Sequence, residues 1–333
     1  MTSEWTIPPA PFSQKEKLIV GVSGGSDSLG LLIILLDRLP RARRRLVVAH
    51  VNYGLRGDAS KRDEQKVRQI CRDHKIPFKN LRVRKFKSMI RREKRSLQDL
   101  AREIRYLFFQ KLARKEKAWG AAVAHHLEDQ AETMMDRLLR GAGSRGLTGL
   151  RPVQELSFHP PFRALKIWRP LLGISKDQIQ SLLRSRHIQW REDLSNRENK
   201  YRRNQIRNEL LPFLSRWNPK IKEVLARLGE ITAAEDFVLE GLLKPMDKKL
   251  KSRWGGGGYY CQAESFVRYP AALQRRWIRR VAEKLNGDAR GLSFDRIEEI
   301  IRLWKGLEKG PKDMGFGIRA GKSQGRAFLR VNG

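Results

Sequence analysis

A buried-strand pattern, Lys17-Leu-Ile-Val-Gly-Val22, runs straight into Ser23-Gly-Gly-Ser-Asp-Ser28, and a second apolar run starts at Leu29. In order this reads as a strand, a tight glycine turn and a helix from Asp27 to Arg38. The alternation then repeats. Leu46–Val51 reads as a strand and Ser60–His74 as a helix, and Phe78–Val83 is a weaker strand. Ser96, with Asp99 three residues on, opens a long helix as a capping box. Ala121–Ala124 reads as a further strand and Leu127–Arg140 as a helix. Repeated strand–helix–strand units lead to a parallel sheet covered by helices on both faces, with ligands held at the carboxyl ends of the strands. The expected fold class is therefore α/β, a doubly wound parallel sheet with a second, smaller and mainly helical domain.

The pattern changes after Pro212. Ile221–Leu242 and Leu273–Leu285 read as helices, separated by the basic stretch Lys244–Arg253 and the flexible run Gly255–Gly258. The boundary falls near Leu214–Asn218, so the expected domains are 1–215 and 216–333. A last strand is expected at Ala327–Val331, and the chain has no internal repeat.

Charge narrows the partners. The chain carries 70 Lys+Arg against 36 Asp+Glu, a formal net charge of +34. An excess of this size fits a polyanion, nucleic acid before a membrane surface. The longest apolar run, Leu29–Leu36, is too short to span a bilayer. The first residues show no basic, apolar leader, so no membrane and a cytoplasmic location are expected. Cys71 and Cys261 form no CxxC pair, which leaves a zinc ribbon or iron–sulfur cluster unsupported.

Two segments carry candidate chemistry. In the first, Gly24 and Gly25 let backbone N–H groups approach a phosphate, the helix N-terminus adds partial positive charge, and Ser23, Ser26 and Ser28 offer hydroxyls. Asp27 would repel a phosphate unless Mg²⁺ lay between them. A Walker ending is absent. The same residues also suit an ordinary turn and helix cap. In the second segment, His125-His-Leu-Glu-Asp-Gln-Ala-Glu132, Asp129 and Glu132 share one helix face, continued by Asp136. An acidic face in so basic a chain suits a small cationic substrate. First-turn carboxylates favouring the helix dipole, or a divalent-metal site, use the same residue types.

Placed after a first strand, Ser23–Ser28 resembles the pyrophosphatase loop of PP-loop enzymes, which cleave ATP to AMP and pyrophosphate. With it come His50-Val-Asn-Tyr-Gly-Leu-Arg56, Ala101-Arg-Glu-Ile-Arg-Tyr106, Ala124–Thr133, Arg140-Gly-Ala-Gly143, Arg169-Pro-Leu-Leu172 and Arg203-Asn-Gln-Ile-Arg207. In this order they resemble the tRNA(Ile)-lysidine synthetase family, densely from about residue 17 to 214 and thinly after. The chain departs from the family at Glu128, where an aspartate is usual, and at Tyr53, where a histidine is frequent.

The resemblance implies ATP and Mg²⁺ as cofactors, with free L-lysine and tRNA(Ile) bearing a CAU anticodon as partners. The wobble cytidine would be adenylated at its C2 oxygen and the lysine ε-amine would then displace AMP. Ser23, Gly24, Gly25, Ser26, Asp27 and Ser28 are expected to hold ATP, with His50 and Asn52 near the adenine through their backbone as much as their side chains. Asp129 and Glu132 are expected to bind lysine, with one of them or His125 as base and Arg105 facing the same pocket. Arg203 and Arg207 suit a phosphate of ATP or tRNA, or a plain solvated face. A homodimer is left open. For RNA, Arg41–Arg45 and Arg82–Arg95 are the densest basic stretches, with Phe86 and Trp190 as candidate stacking surfaces. The competing readings are a PP-loop tRNA thiolase, which would want cysteines near the site, a small-molecule amidotransferase-like synthetase, and a non-catalytic RNA-binding protein.

Overall fold

A computed structural model describes residues 7–55, 57–84, 86–93, 96–156, 164–190, 202–250, 253–255, 258–287, 292–315 and 317–331. The chain separates into two compact units, Met1–Ala233 and Ala234–Gly333.

The first unit carries β1 (Lys17–Gly21), α1 (Ser26–Arg38), α2 (Ala42–Arg45), β2 (Leu46–Asn52), α3 (Asp58–Asp73), β3 (Phe78–Arg82), α4 (Phe86–Glu93), α5 (Leu97–Lys115), β4 (Ala118–Ala122), α6 (Leu127–Leu139), β5 (Val153–Leu156), β6 (Leu165–Trp168), α7 (Lys176–Ser185), α8 (Arg202–Gln205), α9 (Leu211–Ser215) and the start of α10 (Ile221–Lys249). A π-helical turn, Ile206–Leu210, joins α8 to α9.

Six strands pair in the order β3-β2-β1-β4-β6-β5. All neighbours run parallel except β5, which lies antiparallel to β6 at the edge. Successive side chains on a strand point to opposite faces, and the core divides accordingly. Leu18 and Val20 of β1, with Leu46 and Val48 of β2, join one buried cluster with α1 and α7. Ile19, Val47 and Ala49 join another, with Tyr106, Phe109 and Leu112 of α5. Both faces of the sheet are thus buried, which is why the strands read as continuous apolar runs.

Two close approaches depend on absent side chains. A Cβ on Gly30 of α1 would lie 2.3 Å from Ile179 Cγ2 of α7. One on Gly120 of β4 would lie 2.3 Å from the Lys166 carbonyl oxygen of β6. The expected doubly wound sheet is present. α2, α4, β5, β6, α7 and α9 go beyond the elements expected from the sequence.

In the second unit, the end of α10 is followed by β7 (Arg253–Gly255), β8 (Gly258–Gln262), α11 (Ala263–Val267), α12 (Ala271–Asn286), α13 (Phe294–Lys305), β9 (Lys312–Asp313), β10 (Ile318–Ser323) and β11 (Arg326–Val331). The last strand matches the one expected at the tail. The unit also holds a five-stranded antiparallel sheet, β7-β8-β11-β10-β9, beside its helices. Of the glycine run expected to be flexible, Gly255 and Gly258 pair across β7 and β8, and residues 256–257 lie outside the described residues. Phe266, Trp277 and Trp304 stack edge-on at the core, with centroids 4.7 to 6.0 Å apart. The change of sequence pattern expected at 215/216 precedes the division between the units, which falls inside α10. Among the described residues, no helix is long and apolar enough to cross a membrane.

Candidate active site

The chain leaves β1 for β2 and β3 on one side and returns to β4 on the other, so the strand order reverses between β1 and β4. In open parallel sheets this is where a crevice forms for ligands. The two segments singled out in the sequence emerge there, Ser23–Ser28 after β1 and His125–Glu132 after β4.

Gly24 takes φ +98°, a left-handed conformation suited to glycine. The Ser28 hydroxyl accepts from the Ser23 and Gly24 N–H groups at 3.0 and 3.2 Å and donates to the Gly25 carbonyl. Ser28 thus shapes the loop from inside. α1 begins with no side-chain cap at Gly25, so its first N–H groups are not taken by a capping side chain. Ser26 donates to Asp27, whose carboxylate stays partly exposed.

His126, which the sequence had not singled out, joins the two segments. Its buried ring has Nε2 3.6 Å from Asp27 and 3.5 Å from Asp129, with Nδ1 2.9 Å from Glu128. Burial alone would depress its pKa, but hydrogen bonds to Asp27 and Glu128 and the charge of Asp129 outweigh it and raise it to about 10. At neutral pH His126 is an imidazolium among three carboxylates. Burial raises the Asp27 pKa, yet pairing with His126 leaves it lowered overall. The doubled His125-His126 was the available sequence signal.

Glu128 is held by three donors. It accepts from His126 Nδ1, from the Lys176 N–H at 3.0 Å and from Lys222 Nζ at 3.1 Å. Burial pushes its carboxyl up, but these donors hold it down at about 2.

The acidic face of α6 does not stand open. Glu132 is 1% exposed, and its carboxylate accepts from Arg203 Nε at 2.7 Å and from Arg207 Nε and Nη2. Arg203 also donates to Asp129, whose other oxygen accepts the His126 N–H. Burial raises the Asp129 pKa, and His126 and Arg203 bring it below the ordinary value. The arginine pair therefore joins the acidic pair, with Arg203 still 47% exposed. Arg203 and Arg207 span the entry to the π-helical turn, a geometry that recurs at functional sites.

His125 is poorly suited to the expected role of base. Its Nδ1 accepts from Arg169 Nε at 3.0 Å, fixing Arg169 as donor. Burial, against the pull of Asp129, and the charges of Arg169 and Arg203 depress its pKa to about 3. Arg169 is fully buried and also donates to the Arg151 carbonyl and Gln154. Arg105 stands beside Tyr53 at the end of β2, pulling against the burial that raises the phenol pKa, while it is Arg102 whose charge reaches His125.

His50 donates through Nδ1 to the Val22 carbonyl, 2.8 Å away, and is buried. The Asn52 amide is consumed inside the fold: it accepts from the Gly54 N–H and donates to the Ser60 carbonyl and Glu64. These two side chains tie β2 to its surroundings. Phe86 is buried and packs against Tyr53, centroids 4.9 Å apart, so it is core and not an exposed stacking surface. Trp190 is half-buried beneath Arg184. Arg45 is buried too, donating to the Ser13, Glu16 and Pro40 carbonyls. In the stretch 82–95, residues 85, 94 and 95 lie outside the described residues. Both cysteines are buried, with burial pushing their thiols up to about 12.

A parallel sheet whose strand order reverses beside an uncapped Ser-Gly-Gly-Ser-Asp-Ser loop defines a nucleotide-binding domain, and the PP-loop domain family matches residues 4–214. A U34-tRNA thiolase, NcsA from Methanococcus maripaludis, has a similar fold, with TM-score 0.51 and 20% identity over 66% of this chain and 72% of that one. Sequence relatives are narrower in kind. The tRNA(Ile)-lysidine synthase of Geobacter sulfurreducens is 37% identical over 88% of this chain and 60% of its own length. That of Clostridium acetobutylicum is 32% identical over 96% of this chain and 67% of its own. The chain belongs to the tRNA(Ile)-lysidine synthase family. It spans 60% and 62% of the lengths of two of these relatives, those of Geobacter sulfurreducens and Solibacter usitatus.

Proposed function

We propose that the protein ligates L-lysine to C2 of the wobble cytidine of tRNA(Ile) with a CAU anticodon, in the cytoplasm, consuming ATP. The observation that carries this reading is the junction at the β1/β4 crevice, where the anion-binding loop and the charged face of α6 meet through His126.

In the first step the cytidine C2 oxygen attacks the α-phosphorus of ATP, the P–O bond to the β-phosphate breaks, and pyrophosphate leaves. The N–H groups at the start of α1, which no capping side chain takes, hold the phosphates. Asp27, partly exposed at the same helix start, is the residue that would hold Mg²⁺, a hard cation suited to a carboxylate. That ion would offset phosphate charge. In the second step the ε-amine of lysine, having given its ammonium proton to water, bonds to C2, the C2–O bond breaks, and AMP leaves with the oxygen.

The alternating charges on α6 and the turn after α8 fit the two ends of an amino acid. The lysine carboxylate meets Arg203 and Arg207, and an ammonium meets Asp129, while Glu132 holds both guanidinium groups in place. Two buried cysteines speak against a thiolase.

The test incubates the protein with ATP, labelled lysine and total bacterial tRNA. Label in an isoleucine tRNA with release of AMP supports the reading, and its absence sinks it. Asp129→Asn should slow single-turnover lysine transfer by about 10- to 100-fold, the worth of one charged hydrogen bond, while ATP binding persists. Transfer at the wild-type rate would remove Asp129 from the lysine site.

A further inference from the structure

The corner between α9 and α10 exposes an aromatic pair. Trp217 is 81% exposed and Phe213 47% exposed, both within the first unit. An indole in water is unusual, since tryptophan is among the side chains most buried on average. The corner is ordered around it. The Trp217 and Asn218 N–H groups both donate to the Leu214 carbonyl at 3.0 Å. The Asn218 side chain accepts the Lys220 N–H at 2.9 Å, and the Asn218 carbonyl accepts the Ile221 N–H. Leu214 and Ile221, on either side of the corner, pack against the cluster formed by Ala131, Met134 and Met135 of α6. The indole is thus presented outward from a corner anchored to the helix that carries Asp129 and Glu132.

The surroundings are cationic. Arg216 lies over the Phe213 ring, 4.8 Å from its centroid, and Lys220 is exposed on the same turn. Five residues beyond Trp217, Lys222 reaches Glu128 at 3.1 Å, which places the corner within about 18 Å of chain from the candidate site. A flat, exposed ring flanked by guanidinium and ammonium groups matches an unpaired nucleobase with phosphates on either side. A second copy of this chain fits less well, because its net charge of +34 would be brought against this basic turn.

We propose that Trp217 is a stacking platform for an unpaired base of the RNA substrate, with Arg216 and Lys220 meeting the adjoining phosphates. The proposal rests on the RNA-modifying reading above for its partner, but it concerns binding alone.

The experiment measures affinity for a transcribed CAU anticodon stem–loop with 2-aminopurine in the loop, across a salt series. It uses wild type, Trp217→Ala, Trp217→Phe and the double variant Arg216→Ala/Lys220→Ala. Trp217→Ala should weaken binding by about 5- to 100-fold with an unchanged salt slope and an unchanged thermal midpoint. Trp217→Phe should restore most of the loss, and quenching of 2-aminopurine should disappear in the alanine variant alone. The double variant should flatten the slope. Wild-type affinity in Trp217→Ala overturns the proposal, as does a loss that alters the salt slope or that accompanies a change of oligomeric state in sedimentation. Binding without lysine transfer in the wild type would overturn the function proposed above and leave the platform standing. A wild type that binds no RNA would overturn both.

Discussion

Glu64, on α3, accepts from Asn52, Asn80, Arg68 and Arg82, so one buried carboxylate ties α3 to β2 and β3. Its hydrogen bonds to Arg82, opposed by burial and helped by Asn52 and Arg68, hold its pKa at about 2 against an ordinary 4.5. A lowered folded pKa means stability present above pH 4.5 and lost as pH falls toward 2. Glu64→Gln should therefore be less stable than wild type at pH 6, by at most about 3 kcal/mol. That gap should shrink steadily in urea unfolding between pH 4.5 and 2.5, and a gap constant over that range would refute the assignment. Asn52 and Glu64 stand twelve residues apart with no motif linking them, so Asn52 read from sequence as a nucleotide neighbour while the fold uses its amide for structure. Arg203 and Arg207 were legible as a pair but not as partners of Glu132, because their separation of more than seventy residues hides the contact. His126 was passed over for His125 because adjacent histidines look alike until burial and partners distinguish them.

In the first unit β1, β2, β4 and the longer helices were legible because burial on both sheet faces writes continuous apolar runs, and because caps such as Ser96 mark helix starts. In the second unit α12 and the last strand were legible, while β8 and β10, half-exposed and opening at or beside a glycine, carry weak period-2 signals. Glycines inside elements are informative in a different way. An added methyl at Gly30 meets the Cγ2 methyl of Ile179, buried and fixed on a branched Cβ, so α1 and α7 must shift slightly apart, a cost that the helix propensity of alanine offsets in part. At Gly120 it meets backbone, so β4 and β6 must separate. Gly30→Ala should cost about 1 kcal/mol and Gly120→Ala about 3 kcal/mol. Denaturant midpoints of the two variants decide the order, and the reverse ranking would show that β4 can shift freely against β6.

For the whole molecule the formal charge of +34 dominates. Affinity for tRNA should fall steeply between 50 and 200 mM salt, by about 1,000-fold or more if six phosphates are contacted. A flat salt titration would contradict a polyanionic partner. Composition carries the expectation of a polyanionic partner but says nothing of where it would be met: Phe86 and Arg45, drawn from aromatic and basic stretches, lie buried, and the exposure of Trp217 has no signal in the sequence. The closing of the site by distant residues has a consequence for synthesis. Glu132 leaves the ribosome 71 residues before Arg203, the nearer of its two cationic partners. At translation rates of about 5–20 residues per second, that is about 4 to 14 s. Through that interval β1 to β4 are already made, but α6 cannot bury its carboxylate without a counter-charge, so the nascent chain holds a finished Ser23–Ser28 turn beside a helix face whose charges are not yet paired.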